Sequence, residues 1–142
     1  MTLAQRLAIS ITGSACQVHR READWSFCFG PDVSLAVSVP WRIVSDAGIV
    51  LGGEDDGHQF GLPKPLDAEA LANRLLSDAK VKQLDADELT ADLRIVFEGG
   101  VRLDIFNNSA GYEGWQSYLP PSEHEGNMVI GMGGGGLAPH PG

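Results

Sequence analysis

The chain has 142 residues, a formal net charge of −9 and 43% hydrophobic residues, which together indicate one globular domain with a core of ordinary size. The acidic balance argues against nucleic acid or an anionic membrane surface as a direct partner, because phosphate binding requires clustered lysine and arginine. No stretch reaches the roughly 20 apolar residues of a membrane span, so we expect a cytoplasmic protein.

The chain begins with a loosely helical pattern. Leu3, Leu7 and Ala8 share one face of a helix, so residues 1–12 are expected to form a short helix or an extended arm. A secretion signal is disfavoured, because Ser10 and Thr12 interrupt an apolar run that is already short.

A β-meander is expected next. Alternating apolar and polar residues predict three strands and then a shorter hairpin, at residues 15–20, 24–29, 33–39 and 43–51. Pro40 ends the third strand, because it has no backbone N–H to donate. Cys16 and Cys28 lie on neighbouring predicted strands but on opposite faces, which favours reduced thiols over a disulfide.

One helix is predicted to follow a loop. Asp67 is a suitable N-cap, since its carboxylate can accept hydrogen bonds from the free N–H groups of the first turn. The residues after it form one apolar stripe, made of Ala68, Leu71, Ala72, Leu75 and Ala79. A lone amphipathic helix buries such a stripe against a sheet.

The pattern of the first hairpin recurs after an offset of 68 residues. Trp25, Phe27, Phe29, Val33, Leu35 and Val37 map onto Leu93, Ile95, Phe97, Val101, Leu103 and Ile105. Each copy alternates apolar and polar residues around a tight turn, which is typical of a half-buried antiparallel hairpin. The sequence therefore predicts two related meanders.

The remaining segments complete the predicted fold. Further strands are expected at residues 81–86, 90–97, 101–106, 112–119 and 128–130, and residues 132–142 are expected to form a glycine- and proline-rich tail. The fold class is then α+β, within a single domain of residues 1–142. Its two antiparallel meanders, related by an internal repeat, form a bent sheet or half-barrel against which the helix packs.

Catalytic and metal-binding patterns are weak in this sequence. The glycine run at residues 131–136 has no following lysine or helix, so it is a turn or tail rather than a phosphate loop. His58 beside Asp56, and residues 123–125, could offer metal ligands, but both groups fall in predicted loops without recurring ligand spacing. We therefore expect no enzyme activity, cofactor or metal.

Candidate binding residues come from the acidic runs and from one aromatic motif. They are Asp55, Asp56, Asp85, Asp87, Glu88, Tyr112 and Trp115. Acidic runs are ordinarily solvated, but these flank the predicted helix and, if they converge, would steer a cationic partner. Trp41 and Trp115 each follow one hairpin. Two interpretations are open for each: the indole closes one end of the core, or it is an exposed binding anchor.

A resemblance to a known family emerges at the second hairpin. The segment Leu93-Arg94-Ile95-Val96-Phe97-Glu98-Gly99-Gly100-Val101-Arg102-Leu103-Asp104-Ile105, then Tyr112-Glu113-Gly114-Trp115-Gln116, resembles small bacterial domains of unknown function, and Met128-Val129-Ile130-Gly131 resembles their ending. The resemblance covers residues 13–137 and carries no defined catalytic set. Some such domains are encoded beside polymorphic toxins, which implies an immunity role.

The sequence thus favours a non-enzymatic binding protein. The most concrete expectation is a bacterial immunity protein whose acidic face occludes the basic active-site cleft of a toxin. The alternatives are a self-associating structural domain, which includes a homodimer paired through exposed strand edges, and a small-molecule binder that uses the mouth of a half-barrel.

Overall fold

The structure is a computed structural model that describes residues 1–76, 78–120 and 126–140. Its described part is α+β, with two helices and two antiparallel sheets. The helices are α1 (Leu3–Ile11) and α2 (Ala68–Leu76). The strands are β1 (Cys16–Arg20), β2 (Trp25–Phe29), β3 (Val33–Val37), β4 (Trp41–Ser45), β5 (Gly48–Gly52), β6 (Val81–Ala86), β7 (Leu93–Phe97), β8 (Arg102–Ile105), β9 (Trp115–Tyr118), β10 (Met128–Gly131) and β11 (Leu137–His140).

The hydrogen bonding divides the strands between two open sheets. One sheet has the order β1–β2–β3–β9–β10–β11, and the other has the order β5–β4–β8–β7–β6. The meander β1–β2–β3 therefore lies in the first sheet and the meander β6–β7–β8 in the second. The next strand of each meander crosses over: β4 pairs with β8, and β9 pairs with β3. Local alternation predicts the meanders, but it does not reveal this exchange.

The N-terminal segment is helical rather than an extended arm. The Thr2 side chain accepts a hydrogen bond from the Gln5 N–H, and the Gln5 side chain accepts one from the Thr2 N–H, which forms a capping box. Helix α1 packs against β6 and β11, an edge strand of each sheet.

Helix α2 confirms the predicted N-cap but is shorter than its apolar stripe. Asp67 accepts a hydrogen bond from the Ala70 N–H, and the helix ends at Leu76, so Ala79 lies beyond it. The helix packs against β1 and β5, the other two edge strands. The Asn73 side chain bonds both the N–H and the C=O of Val18, so it satisfies part of the free edge of β1.

A single hydrophobic cluster lies between the sheets. The strands contribute alternate residues to it, such as Phe27 and Leu35 from one sheet and Ile95 and Leu103 from the other. Cys16 is buried in this cluster, whereas Cys28 is partly exposed, and both cysteines are free as predicted. No helix in the described residues is long and apolar enough to cross a membrane.

Residues 132–140 of the predicted C-terminal tail form a turn and a strand instead, and residues 141 and 142 lie outside the described residues. Residues 132–136 form the turn of a hairpin, with the Met132 N–H donating to the Gly136 carbonyl. Strand β11 then pairs with β10 from Leu137 to His140. The segment is a strand because β10 lies beside it as a pairing partner. Its glycine- and proline-rich composition does not reveal that partner.

Candidate functional site

The predicted acidic residues lie at one end of the five-stranded sheet but at its opposite edges. The residues in register across this end are Gly52, Arg42, Asp104, Arg94 and Asp85. Asp55 and Asp56 follow the strand that ends at Gly52, whereas Asp85 and Asp87 lie at the end of β6. Four strand spacings of about 4.8 Å separate these edges by roughly 19 Å.

Asp55 and Asp56 serve local structure rather than a shared acidic face. Asp55 accepts a hydrogen bond from the Gly52 N–H. Asp56 accepts two hydrogen bonds from the Arg20 guanidinium and one from the Ala68 N–H, so it ties β1 to the start of α2. The Arg20 hydrogen bond is the main reason why the pKa of Asp56 lies below its usual value.

This ion pair predicts a specific pH dependence. The native state holds the pKa of Asp56 low, so the pair stabilises the fold above the unfolded-state pKa of about 4 and loses its effect as the pH falls. Arg20→Gln is expected to lower the free energy of unfolding at pH 7 by about 0.5–1 kcal/mol, since both side chains are partly open to water. Urea unfolding of both proteins at pH 7 and pH 3 should show this difference shrinking, and a difference independent of pH would contradict it.

Asp87 and Glu88 belong to a hydrogen-bonded loop at residues 87–92, which follows Asp85 and the end of β6. Asp87 organises this loop, because its carboxylate accepts hydrogen bonds from the Leu89 and Thr90 N–H groups and its C=O accepts one from Ala91. Ala91 has a φ of 65°, a left-handed conformation that only a surrounding network maintains in a residue other than glycine. The loop therefore has a defined shape.

Two further loops pack against it to form what we name the three-loop surface, made of residues 87–92, 106–114 and 132–136. The Asn107 side chain donates to the Thr90 and Met132 carbonyls and so touches both neighbouring loops. The Gly134 N–H donates to the Ser109 carbonyl. Gly135 lies so close to the Leu89 carbonyl that a Cβ atom would collide with it.

The three-loop surface exposes two large apolar side chains. Leu89 is 83% exposed and Tyr112 is 82% exposed. Between the loops lies a hollow of about 430 Å³, lined by Leu89, Thr90, Asn107, Asn108, Ser109, Ala110, Gly134 and Gly135. Exposed apolar groups beside an ordered hollow are typical of a surface that contacts another molecule.

Acidic residues lie on these loops or directly before them. They are Asp85, Asp87, Glu88, Asp92 and Glu113. Arg94 faces Asp85 across the β6–β7 pair, but it also pairs with Asp104, at 3.3 Å between Nε and Oδ1. The three loops contain four acidic residues and no lysine or arginine. Asp87, Glu88 and Tyr112 of the predicted set belong to this surface, and Asp85 lies directly before it in β6.

Trp115 is not an exposed anchor, which corrects one of the two expectations for it. Its side chain is 1% exposed, and its Nε1–H donates to the Ala91 carbonyl at 2.8 Å. The indole also lies over Gly131, where a Cβ atom would collide with the ring. Trp115 is a core residue, and its hydrogen bond to Ala91 attaches the 87–92 loop to the core.

Sequence reasoning missed a charge cluster on the outer face of the five-stranded sheet. Asp104 is buried and accepts contacts from Arg42, Arg94 and Arg102, with Nε to carboxylate distances of 3.0, 3.3 and 3.2 Å. Every second residue of a strand shares a face, so the sequence pattern could place each of these charged residues on the outer face of its own strand. Only the pairing of β4 with β8 shows that they are neighbours.

Comparisons with known proteins add no assignment to these observations. Residues 123–125, one of the weak metal candidates, lie outside the described residues, and the described part holds no group of three or more His, Cys, Asp or Glu side chains placed to bind a metal. Searches matched no protein-family model, no curated protein and no solved structure.

Proposed function

We propose that this chain is a non-enzymatic binding protein whose three-loop surface engages a basic protein. One observation carries the proposal: Leu89 and Tyr112 are almost fully exposed on an ordered surface bordered by acidic side chains. Burial of the two apolar groups would supply affinity, and the carboxylates would accelerate association with a cationic partner.

The order of the loops supports this role. A loop that is already held in its bound shape loses little conformational entropy on association. Asp87, Asn107 and Trp115 fix the loops through hydrogen bonds inside the protein, so the exposed side chains stand on a preorganised base. The surface thus resembles a rigid docking site more than a mobile solvated turn.

The most concrete form of the proposal is an immunity protein in the bacterial cytoplasm. The acidic surface would cover the basic active-site cleft of a toxin and exclude its substrate. The net charge of −9 and the family resemblance at residues 93–116 support this form. Trp115 contributes indirectly, by supporting the loop that carries Glu88 and Leu89.

A paired variant tests the proposed surface. Leu89→Asp combined with Glu88→Lys should abolish capture of a basic protein from the native cell lysate, because it removes the apolar contact and reverses a rim charge. Ile49→Asp combined with Glu98→Lys is the matched control, since both residues are exposed at the opposite end of the five-stranded sheet. Equal capture by the two variants, or capture of acidic proteins only, would refute the proposal.

Self-association remains a second candidate because of the six-stranded sheet. None of the outward positions in its described strands is Asp, Glu, Lys or Arg; they include Ser26, Cys28, Ser34 and Ala36, and also the apolar Met128 and Ile130. Two copies repel least where they present no charge. Light scattering at several protein concentrations distinguishes a dimer formed there from a monomeric binding protein.

We also propose that the chain consists of two copies of one helix–strand unit. Three observations support this proposal. The hairpins recur after 68 residues, and the order β1–β2–β3–β9–β10 in one sheet corresponds to β6–β7–β8–β4–β5 in the other. Trp41 and Trp115 also have similar settings, each packed over a glycine. A bridge between Ala15 and Lys80 joins the edges of the two sheets. This bridge supports a strongly bent, half-barrel arrangement.

A further inference from the structure

The charge cluster around Asp104 holds more positive than negative charge on an otherwise acidic protein. On the outer face of the five-stranded sheet, the Nε atoms of Arg42, Arg94 and Arg102 lie within 3.3 Å of this one carboxylate. No other carboxylate forms an ion pair with these arginines within the described residues. The cluster therefore keeps an excess of two positive charges, although the chain as a whole has a net charge of −9.

Arginines at the β1–β2 turn show a different balance. Arg20 pairs with two carboxylates, and Arg21 pairs with one. Each of them has at least one carboxylate of its own, so its charge is neutralised inside the protein. Around Asp104, three guanidinium groups share a single carboxylate, and like charges on neighbouring strands repel one another. A second anion would remove this repulsion.

The terminal nitrogens of these arginines are available to such an anion. Arg42 and Arg102 donate to Asp104 through Nε, and Arg94 approaches the same carboxylate through Nε. No hydrogen bond within the described residues uses one of their Nη nitrogens, and no Nη nitrogen of theirs is found among the buried polar atoms without a partner. The Arg42, Arg94 and Arg102 side chains are 34, 54 and 33% exposed, so a ligand in solution can reach them.

The cluster is organised by the protein itself. Asp104 is almost fully buried and anchors all three guanidinium groups at one point. Arg42 and Arg94 lie in register with Asp104 on the strands to either side, each about 4.8 Å away. The Phe106 ring lies against Arg42, with 5.0 Å between the ring centroid and Cζ. A ligand bound here would therefore lose little affinity to the ordering of side chains.

A further acid lies at one side of the cluster. Asp85 is opposite Arg94 in the β6–β7 pair, but both of its carboxylate oxygens accept hydrogen bonds from the Gln83 side chain. Asp85 forms no ion pair within the part of the chain that the structure describes. The other two arginines have no further acid opposite them in the strand pairing. The positive excess is thus preserved at the centre of the sheet.

We propose that the Asp104 cluster binds the phosphate group of a phosphate monoester. A guanidinium group donates two parallel hydrogen bonds to phosphate oxygens, and the planar fork of arginine suits this geometry. The charges match, because a phosphate monoester carries close to two negative charges at neutral pH. Three arginines suit a single phosphate group rather than a nucleic acid backbone. The site is separate from the three-loop surface and does not depend on the function proposed for it.

The Nε–H resonances of the arginines test the proposal directly. Methyl phosphate is titrated into nitrogen-15-labelled protein at pH 7 and constant ionic strength. Methyl sulfate is the control, since it has the same tetrahedral shape but only one negative charge. Methyl phosphate should shift the Arg42, Arg94 and Arg102 resonances together and to saturation, while the exposed Arg74 stays unchanged. The absence of shifts in the cluster, equal shifts with methyl sulfate, or an equal shift at Arg74 would overturn the proposal.

Two variants make the test specific. Arg94→Gln removes the most exposed arginine of the cluster and should weaken methyl phosphate binding roughly two- to fivefold, the size of an exposed charge pair. Arg74→Gln is the matched control, because it removes an exposed arginine of α2, and it should bind like the native protein. Equal binding by the two variants would contradict a site at Asp104.

A phosphopeptide distinguishes the two sources of a phosphate monoester. An acetylated and amidated Ala-phosphoserine-Ala peptide is titrated in the same way as methyl phosphate. Tighter binding of the peptide would support a phosphorylated protein segment as the ligand, and equal or weaker binding would support a small molecule. Failure of both compounds to shift the three arginine resonances would refute the site itself.

Discussion

Trp115→Ala is expected to lower the free energy of unfolding by about 3–5 kcal/mol, the usual cost of removing a large aromatic side chain from a core. The indole is almost fully buried, packs over Gly131 and bonds the Ala91 carbonyl, so its removal leaves both a cavity and an unpaired carbonyl. Urea unfolding monitored by circular dichroism measures the loss. A change below about 1 kcal/mol, the size of a surface effect, would contradict the packing described above.

Trp115→Phe separates the hydrogen bond from the burial. Phenylalanine keeps most of the apolar contact but has no N–H to donate to Ala91. The amide of Ala91, which donates to the Asp87 carbonyl, should then exchange its hydrogen faster, because the 87–92 loop has lost its support from below. If the amides of Ala91 and the rest of the 87–92 loop exchange as slowly in the variant as in the native protein, Trp115 does not organise the three-loop surface.

Asp104→Ala is expected to lower the free energy of unfolding by about 1.5–3 kcal/mol, the size of hydrogen bonds to a charged group, because three partly exposed arginines lose their shared carboxylate. Asp104 contacts Arg42, Arg94 and Arg102, and only 3% of its side chain is exposed. Without it, three guanidinium groups repel one another on neighbouring strands. The effect should weaken at high salt, since added ions screen repulsion between partly exposed charges.

Arg94→Gln is the matched control for Asp104. Arg94 is the most exposed of the three arginines, at 54% of its side chain, so its loss should cost less than about 1 kcal/mol. Thermal unfolding of both variants at low and high salt gives the comparison. Equal costs for the two variants would mean that the carboxylate is not the centre of the cluster.

The sequence predicts the parts of the fold that depend on local pattern. Period-two alternation identifies both meanders, and the Asp67 cap and the stripe from Ala68 onward identify α2. It does not predict that β4 and β9 exchange sheets, because pairing between distant strands leaves no mark in local periodicity. The strand β11 is missed for the same reason: Leu137–His140 is strand only because β10 lies beside it.

The candidate site is predicted in part. Asp87, Glu88 and Tyr112 belong to the three-loop surface, but Asp55 and Asp56 are engaged elsewhere by backbone groups and Arg20. Leu89 is absent from the predicted set, although an apolar residue between Glu88 and Thr90 in an acidic turn is a recognisable signal of an exposed contact. Composition locates charge along the chain, whereas only the fold decides which charges face the same partner.

Photo-crosslinking from position 112 tests whether the three-loop surface binds a basic protein. A photoreactive phenylalanine analogue replaces Tyr112 in one protein and the exposed Ile49 in another, and both are irradiated in the native cell lysate at low and high salt. We expect one basic protein crosslinked from position 112 only, in a yield that falls as the salt concentration increases. A crosslink from position 49 alone, or an acidic protein crosslinked from position 112 regardless of salt, would contradict it.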